Sequence, residues 1–126
     1  MSEPLYVIVS NTDSIEKIKN AITKENVNQQ DEWGNTALYW AVYIEQDISI
    51  INLLLDNCAD PNIGNMTPLH ISCARNDPVI SKRLVDAGAD IHKVNHMGDS
   101  PLSLISDKDL FVYMWNLHKS RTPFKS

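Results

Sequence analysis

One phrase, written three times, constrains this chain more than any other feature of it. Gly34-Asn35-Thr36-Ala37-Leu38, Thr67-Pro68-Leu69-His70 and Gly98-Asp99-Ser100-Pro101-Leu102 each set a hydroxyl residue ahead of a small residue or proline and then a leucine. The hydroxyl positions 36, 67 and 100 are 31 and 33 residues apart. Repetition at this period marks a stacked array, in which a single unit cannot bury its own apolar face and must cover it with the next. Such a unit is a scaffold, which moves the expectation from catalysis toward protein binding.

Each part of the middle copy has a mechanical reason. Thr67 can cap a helix, its hydroxyl accepting from an otherwise unpaired backbone N–H. Pro68 then takes the first helical position, where its missing N–H costs nothing. Leu69 and Ile71 point into the stack, and the small residues Ser72, Cys73 and Ala74 let neighbouring helices approach. Asp77-Pro78 repeats the cap-plus-proline grammar for a second helix, whose apolar face is Ile80, Leu84 and Val85. Gly88 ends it, as a residue that tolerates positive φ.

These residues resemble the ankyrin-repeat family: a turn, T-P-L-H, a small-residue helix, then a second helix ending L-L-L, a glycine and A-D-V-N. The middle repeat follows that pattern from Thr67 to Ile91, with His92 in place of the Asn, and the first full repeat carries Leu53-Leu54-Leu55 through Asn62. The resemblance implies an all-α ankyrin-repeat solenoid of about four helix-turn-helix repeats with short β-turn fingers. Residues 1–126 are expected to form a single domain: an N-terminal capping repeat over 1–30, repeats over 31–63 and 64–94, a truncated C-terminal capping repeat over 95–120 and a frayed tail over 121–126.

In the cap, Leu5 to Val9 favour strand in isolation, but the repeat context predicts a helix. Asp13-Ser14-Ile15-Glu16 fits a capping box for the next helix, with Ile15, Ile18, Ala21 and Ile22 on its buried face. Val27-Asn28 matches the family's exit. In the last repeat, Leu110 to Leu117 is expected to stand in for a full second helix.

Two departures from the pattern bear on function. Asn28 to Thr36 and His92 to Ser100 each span 8 residues, but Asn62 to Thr67 spans 5, so the finger before Thr67 is short. The first full repeat also gains one residue near Glu45-Gln46-Asp47. A short finger is either drift in a tolerant loop or a notch in the row of tips, fitted to a partner.

At 126 residues, 43% of them hydrophobic, the chain suffices for one folded core. No apolar run reaches transmembrane length, and Leu5 to Val9 is too short, and lacks the basic leader, for a signal peptide. Cys58 and Cys73 read as thiols in a repeat scaffold and not as a disulfide framework, which suggests a reducing, cytoplasmic setting. The net charge is −5. Between Glu25 and Ala74 there is no Lys or Arg, and the window holds seven acids: Glu25, Asp31, Glu32, Glu45, Asp47, Asp56 and Asp60. That opposes nucleic-acid binding, which needs cations for phosphates, and favours a partner with a basic surface. The plain alternative is that these are ordinary repeat acids and solvated face charges.

Catalytic and metal readings are weak. His70 resembles the family histidine that bonds backbone between turns. His92 and His96 lie near Asp90 and Asp99, but in extended segments where the side chains need not converge. Cys73 and His70 lack a third orienting group, and no phosphate-binding loop or dinucleotide motif is present. No enzyme activity, metal or cofactor is therefore expected.

The resemblance further implies a concave binding surface built from finger tips and the exposed face of each first helix. Carried over by position, it selects Glu32, Trp33, Asn35, Tyr43 and Ile44 in the first full repeat, Met66, Ala74 and Arg75 in the middle one, and His96, Met97, Asp99, Asp107 and Lys108 in the third. Trp33, Tyr43, Ile44, Met66 and Met97 would be apolar groups facing solvent, although Trp33 could instead pack on a neighbouring finger. Trp40 and Trp115 would be core. The expected function is a stand-alone inhibitor or neutraliser of one protein, for example an immunity-type protein against a basic toxin or a viral binder of a host protein, monomeric when free. The alternative is a two-faced adaptor.

Overall fold

The computed structural model describes residues 3–121. The helices are α1 (Leu5–Asn11), α2 (Ile15–Ala21), α3 (Ala37–Tyr43), α4 (Ile48–Asp56), α5 (Pro68–Ala74), α6 (Pro78–Asp86) and α7 (Lys108–Arg121), with one 3-10 turn, Leu102–Leu104, between α6 and α7. Among the described residues there is no strand. No described helix is long and apolar enough to cross a membrane.

The caps act as the repeat grammar requires. Thr36 accepts from the N–H of Tyr39, and Thr67 from that of His70, so α3 and α5 begin alike. Asp47 and Asp77 cap α4 and α6. α1, α3, α5 and the 3-10 turn pack side by side in one row, while α2 lies against α4 and α6 against α7 in the other. Between the rows runs one continuous core of Leu5, Val9, Ile18, Leu38, Ile50, Ile51, Leu54, Leu69, Leu84, Ile91 and Met114. Stacking thus removes from water the faces that no single repeat could cover.

Polar side chains stitch the repeats together at fixed places. Asn28 donates to the Cys58 carbonyl and accepts from the Asp60 N–H. One repeat on, Asn62 donates to the Gly88 carbonyl and accepts from the Asp90 N–H. His92 holds the next slot and instead meets the edge of Trp115, ring centroids 6.0 Å apart. The residue gained near Glu45 has a structural use: Glu45 turns at φ +62, and Gln46 donates to the carbonyls of Val9 and Thr12 at the end of α1.

Several expectations need correction. Ser14 caps α2, accepting from Lys17, so the box does not start at Asp13. Ile15, at the first position of α2, is 39% exposed and not on its buried face. The last repeat is cut short in its first helix and not in its second. α7 runs for 14 residues, whereas the segment after Ser100 makes a single 3-10 turn. Ser100 and Ser103 exchange side-chain and backbone hydrogen bonds in both directions, the reciprocal cap that also opens α5, but the turn ends at Ile105, whose N–H returns to the Leu102 carbonyl and whose backbone is extended. Asp107 and Lys108 consequently sit at the start of α7, with Asp107 accepting from the Leu110 N–H, and not on a first-helix face. Trp115 is 43% exposed, and among the described residues α7 packs chiefly on α6 and the 3-10 turn. Of the tail expected over 121–126, Arg121 closes α7 and the rest lies outside the described residues.

Candidate protein-binding groove

The first finger is built on Asp31. One carboxylate oxygen accepts from the N–H groups of Trp33 and Asn35, both at 2.9 Å, and the other from the Trp40 indole N–H at 2.8 Å. Gly34, at φ +85, completes the turn, and its N–H returns to the Asp31 carbonyl. Trp33 is thereby held at the tip, 70% exposed, while Trp40 is drawn sideways from the core to the finger's base. This corrects the expectation for Trp40: its indole N–H needs an acceptor, and Asp31 supplies it at the protein surface.

Across from the finger stands α1. Tyr6, Val7, Ser10 and Asn11 of α1, with Asp31, Glu32, Trp33, Trp40 and Ile44, line a solvent-open groove of about 430 Å³. Behind it Tyr39, Trp40 and Tyr43 form a packed triad with ring centroids 5.2 to 5.8 Å apart, each contact worth about 0.5–1.5 kcal/mol beyond its buried area. Arg75 lies 5.5 Å over the Tyr43 ring and donates to the Val42 and Tyr43 carbonyls, closing the end of α3. Burial, with Tyr43 and Asp31 nearby, raises the Tyr39 phenol above its ordinary range.

The structure brings together only some of the residues selected from sequence. Glu32, Trp33 and Ile44 share the groove. Tyr43 and Arg75 pair beside it, and Asn35 supports the finger's backbone. His96, Met97 and Asp99 belong to the third finger, where Asn95 plays the part of Asp31. Met97 there is 83% exposed. Met66 was expected to face solvent but is half-buried, its Sδ accepting from the Asn95 amide. The short loop between Asn62 and Thr67 is tied to both neighbours: Asn65 accepts from the His96 N–H, and Gly64 lies against the Gly34 carbonyl.

Sequence reasoning missed Tyr6, Val7, Ser10 and Asn11. The signal was present, since the spacing from Thr36 to Tyr43 and Ile44, applied from Glu3, lands on Ser10 and Asn11. The acidic window also changes meaning. Asp31, Asp47 and Asp60 accept local backbone N–H groups, and Asp56 pairs with Arg83 at 3.0 Å. Hydrogen bonding to Ser49 holds the Asp47 carboxyl below its usual range. Glu25, Glu32 and Glu45 are the window's exposed glutamates, and they stand on different elements.

His70 is buried. Its Nε2 lies 3.0 Å from the Asp99 carbonyl, which can only accept, so Nε2 carries the proton and Nδ1 accepts from Thr67. It therefore fastens the middle repeat to the third finger, and burial lowers its pKa below 6.5. Cys73 is buried beside Ser81, and burial pushes its thiol up to about 11. Cys58 is exposed at the end of α4. Among the described residues, no group of three or more His, Cys, Asp or Glu converges as metal ligands would.

The model of the family described as ankyrin repeats (three copies) matches residues 4–106. An ankyrin repeat protein of Acanthamoeba polyphaga mimivirus is 35% identical over 99 residues, covering 73% of this chain and 13% of that protein. One from fowlpox virus is 45% identical over 51 residues, covering 37% of this chain and 10% of that protein. The fem-1 homolog A protein of Rattus norvegicus is 31% identical over 93 residues, 71% of this chain and 14% of that protein. The chain thus spans only a small part of the length of the curated relatives it matches. With its three-copy match and its two rows of stacked helices, the chain belongs to the ankyrin-repeat family, whose repeats are protein-interaction modules.

Proposed function

We propose that this chain is a non-catalytic binding module that occludes one protein target with its concave side, as an inhibitor or neutraliser. The observation that carries the reading is the groove between α1 and the first finger, walled by Tyr6, Val7, Trp40 and Ile44 with Trp33 exposed at its rim. An exposed aromatic beside an apolar recess is the composition of an interface anchor, and a partner gains by covering it. Catalysis is disfavoured by the state of the reactive pair. His70 has both ring nitrogens committed, and a thiol raised to about 11 supplies little nucleophile near neutrality. The two free thiols, one of them exposed, suit a reducing, intracellular compartment.

Affinity capture from the native source, with wild type and a Trp33→Ala/Ile44→Ala variant compared by mass spectrometry, tests the reading. The expected result is one partner lost with the variant and functionally blocked by the wild type in a one-to-one complex. A partner held equally by both proteins would move the interface elsewhere. A second reading, the two-faced adaptor, is favoured by the exposed Phe111, Val112, Tyr113 and Trp115 on α7 at the opposite end of the stack. It requires a ternary complex, which gel filtration with light scattering would reveal.

A further inference from the structure

The groove discriminates by charge as well as by shape. Of its nine lining residues, Asp31 and Glu32 are the charged ones, and both are acids. Asp31 is turned onto two backbone N–H groups and the Trp40 indole, which leaves exposed Glu32 as the outward carboxylate. No Lys or Arg lines the groove, and Arg75 beside it is turned onto the Tyr43 ring and the Val42 and Tyr43 carbonyls. About 430 Å³ lies near the lower end of the range for compact ligand sites, about 300–1,000 Å³. That is room for side chains of a protruding segment and not for a broad convex surface.

Resting on the binding function proposed above, we infer that the groove takes a short segment of the partner that presents a bulky apolar side chain flanked by Lys or Arg. The apolar side chain would replace water against Val7, Trp40 and Ile44. The flanking cation would meet the Glu32 carboxylate and the open face of Trp33, which attracts cations through its ring quadrupole. An acidic segment would face Asp31 and Glu32 with no cation among the lining residues, and like charges at an interface select against such partners.

The test is selection of random dodecapeptides displayed on phage against the purified protein. Affinities of the selected peptides are then measured for wild type, Trp33→Ala, Glu32→Gln and Val79→Ser, the last on the exposed side of α6. The expected peptides share a large apolar residue with Lys or Arg within a few positions. Their binding falls about thirtyfold or more in Trp33→Ala. It falls about two- to fivefold in Glu32→Gln, with a flatter salt dependence, and is unchanged in Val79→Ser. Peptides that depend on Trp33 but carry no basic residue would overturn the inferred chemistry and leave the groove as the binding site. Peptides indifferent to Trp33→Ala would overturn the groove reading with it. Recovery of no peptide would overturn a short-segment occupant, while the capture experiment decides separately whether the module binds a protein there.

Discussion

Replacing Asn62 with Ala removes two hydrogen bonds that join successive repeats: Nδ2 to the Gly88 carbonyl at 2.9 Å, and the Asp90 N–H to Oδ1 at 2.8 Å. Gly88 and Asp90 are exposed, so water can replace part of what is lost. Each bond is then worth the lower half of the usual range of about 0.5–1.5 kcal/mol, and Asn62→Ala should cost about 1–2 kcal/mol. With a urea dependence of about 2 kcal/mol per molar, the midpoint should fall by roughly 0.5–1 M. Asn57→Ala is the control. Asn57 makes one exposed bond within its own repeat, to the Leu53 carbonyl, and should cost about half as much or less. Asn28→Ala, which breaks the equivalent pair one repeat earlier, should resemble Asn62→Ala. The two should add, since they share no partner. An Asn62→Ala midpoint no lower than that of Asn57→Ala would refute the claim that this asparagine ladder couples the repeats.

Three further outcomes follow from the same structure. Gly64 adopts φ +106, and an added Cβ would lie 3.3 Å from the Gly34 carbonyl oxygen, whereas Gly98 at φ +84 has nothing within 4 Å. Gly98→Ala should cost about 1–2 kcal/mol from backbone strain alone and Gly64→Ala measurably more by urea unfolding; equal costs would contradict the tight seating of the short loop. His70 binds its proton less readily when folded, so the stability tied to it is whole above pH 6.5 and is lost as pH falls from there toward the lowered folded value. The loss should reach at most about 1.4 kcal/mol per pH unit and should be absent in His70→Gln, and an identical pH dependence in the two proteins would refute it. A disulfide thiol reagent near neutral pH should modify Cys58 promptly and Cys73 only on unfolding, so two equally fast thiols would contradict the burial of Cys73.

What the sequence made legible was what local chemistry dictates. Thr67 and Asp77 were legible as caps, because a hydroxyl or carboxylate at those positions needs only its own next turn to act, and Thr36 and Asp47 act likewise in the preceding repeat. The structural role of His70 was readable through the family resemblance, and the structure adds its bond to Thr67 three residues away. Contacts set by the neighbouring element were not readable. Trp40 leaves the core because Asp31, on another element, offers an acceptor, and Trp115 stays exposed on α7, which among the described residues packs chiefly on α6 and the 3-10 turn. The shortening of the helix after Ser100 was not readable, since Ser100 and Ser103 form the same opening cap as α5 and the chain becomes extended only at Ile105. Half of the groove was legible, through Glu32, Trp33 and Ile44. The α1 half was not, because the cap's departures from the pattern drew attention away from a spacing rule it still obeys.

The central claim is that a partner covers the groove between α1 and the first finger. The three tryptophans allow a direct test, since Trp33 and Trp40 line the groove and Trp115 lies on α7. Fluorine NMR of fluorotryptophan-labelled protein, assigned by single Trp→Phe variants and titrated with the captured partner, reads all three sites at once. The account predicts that the Trp33 and Trp40 resonances move with the titration while Trp115 stays in place. Movement of Trp115 with Trp33 and Trp40 unchanged would contradict it and place the interface on the closing helix.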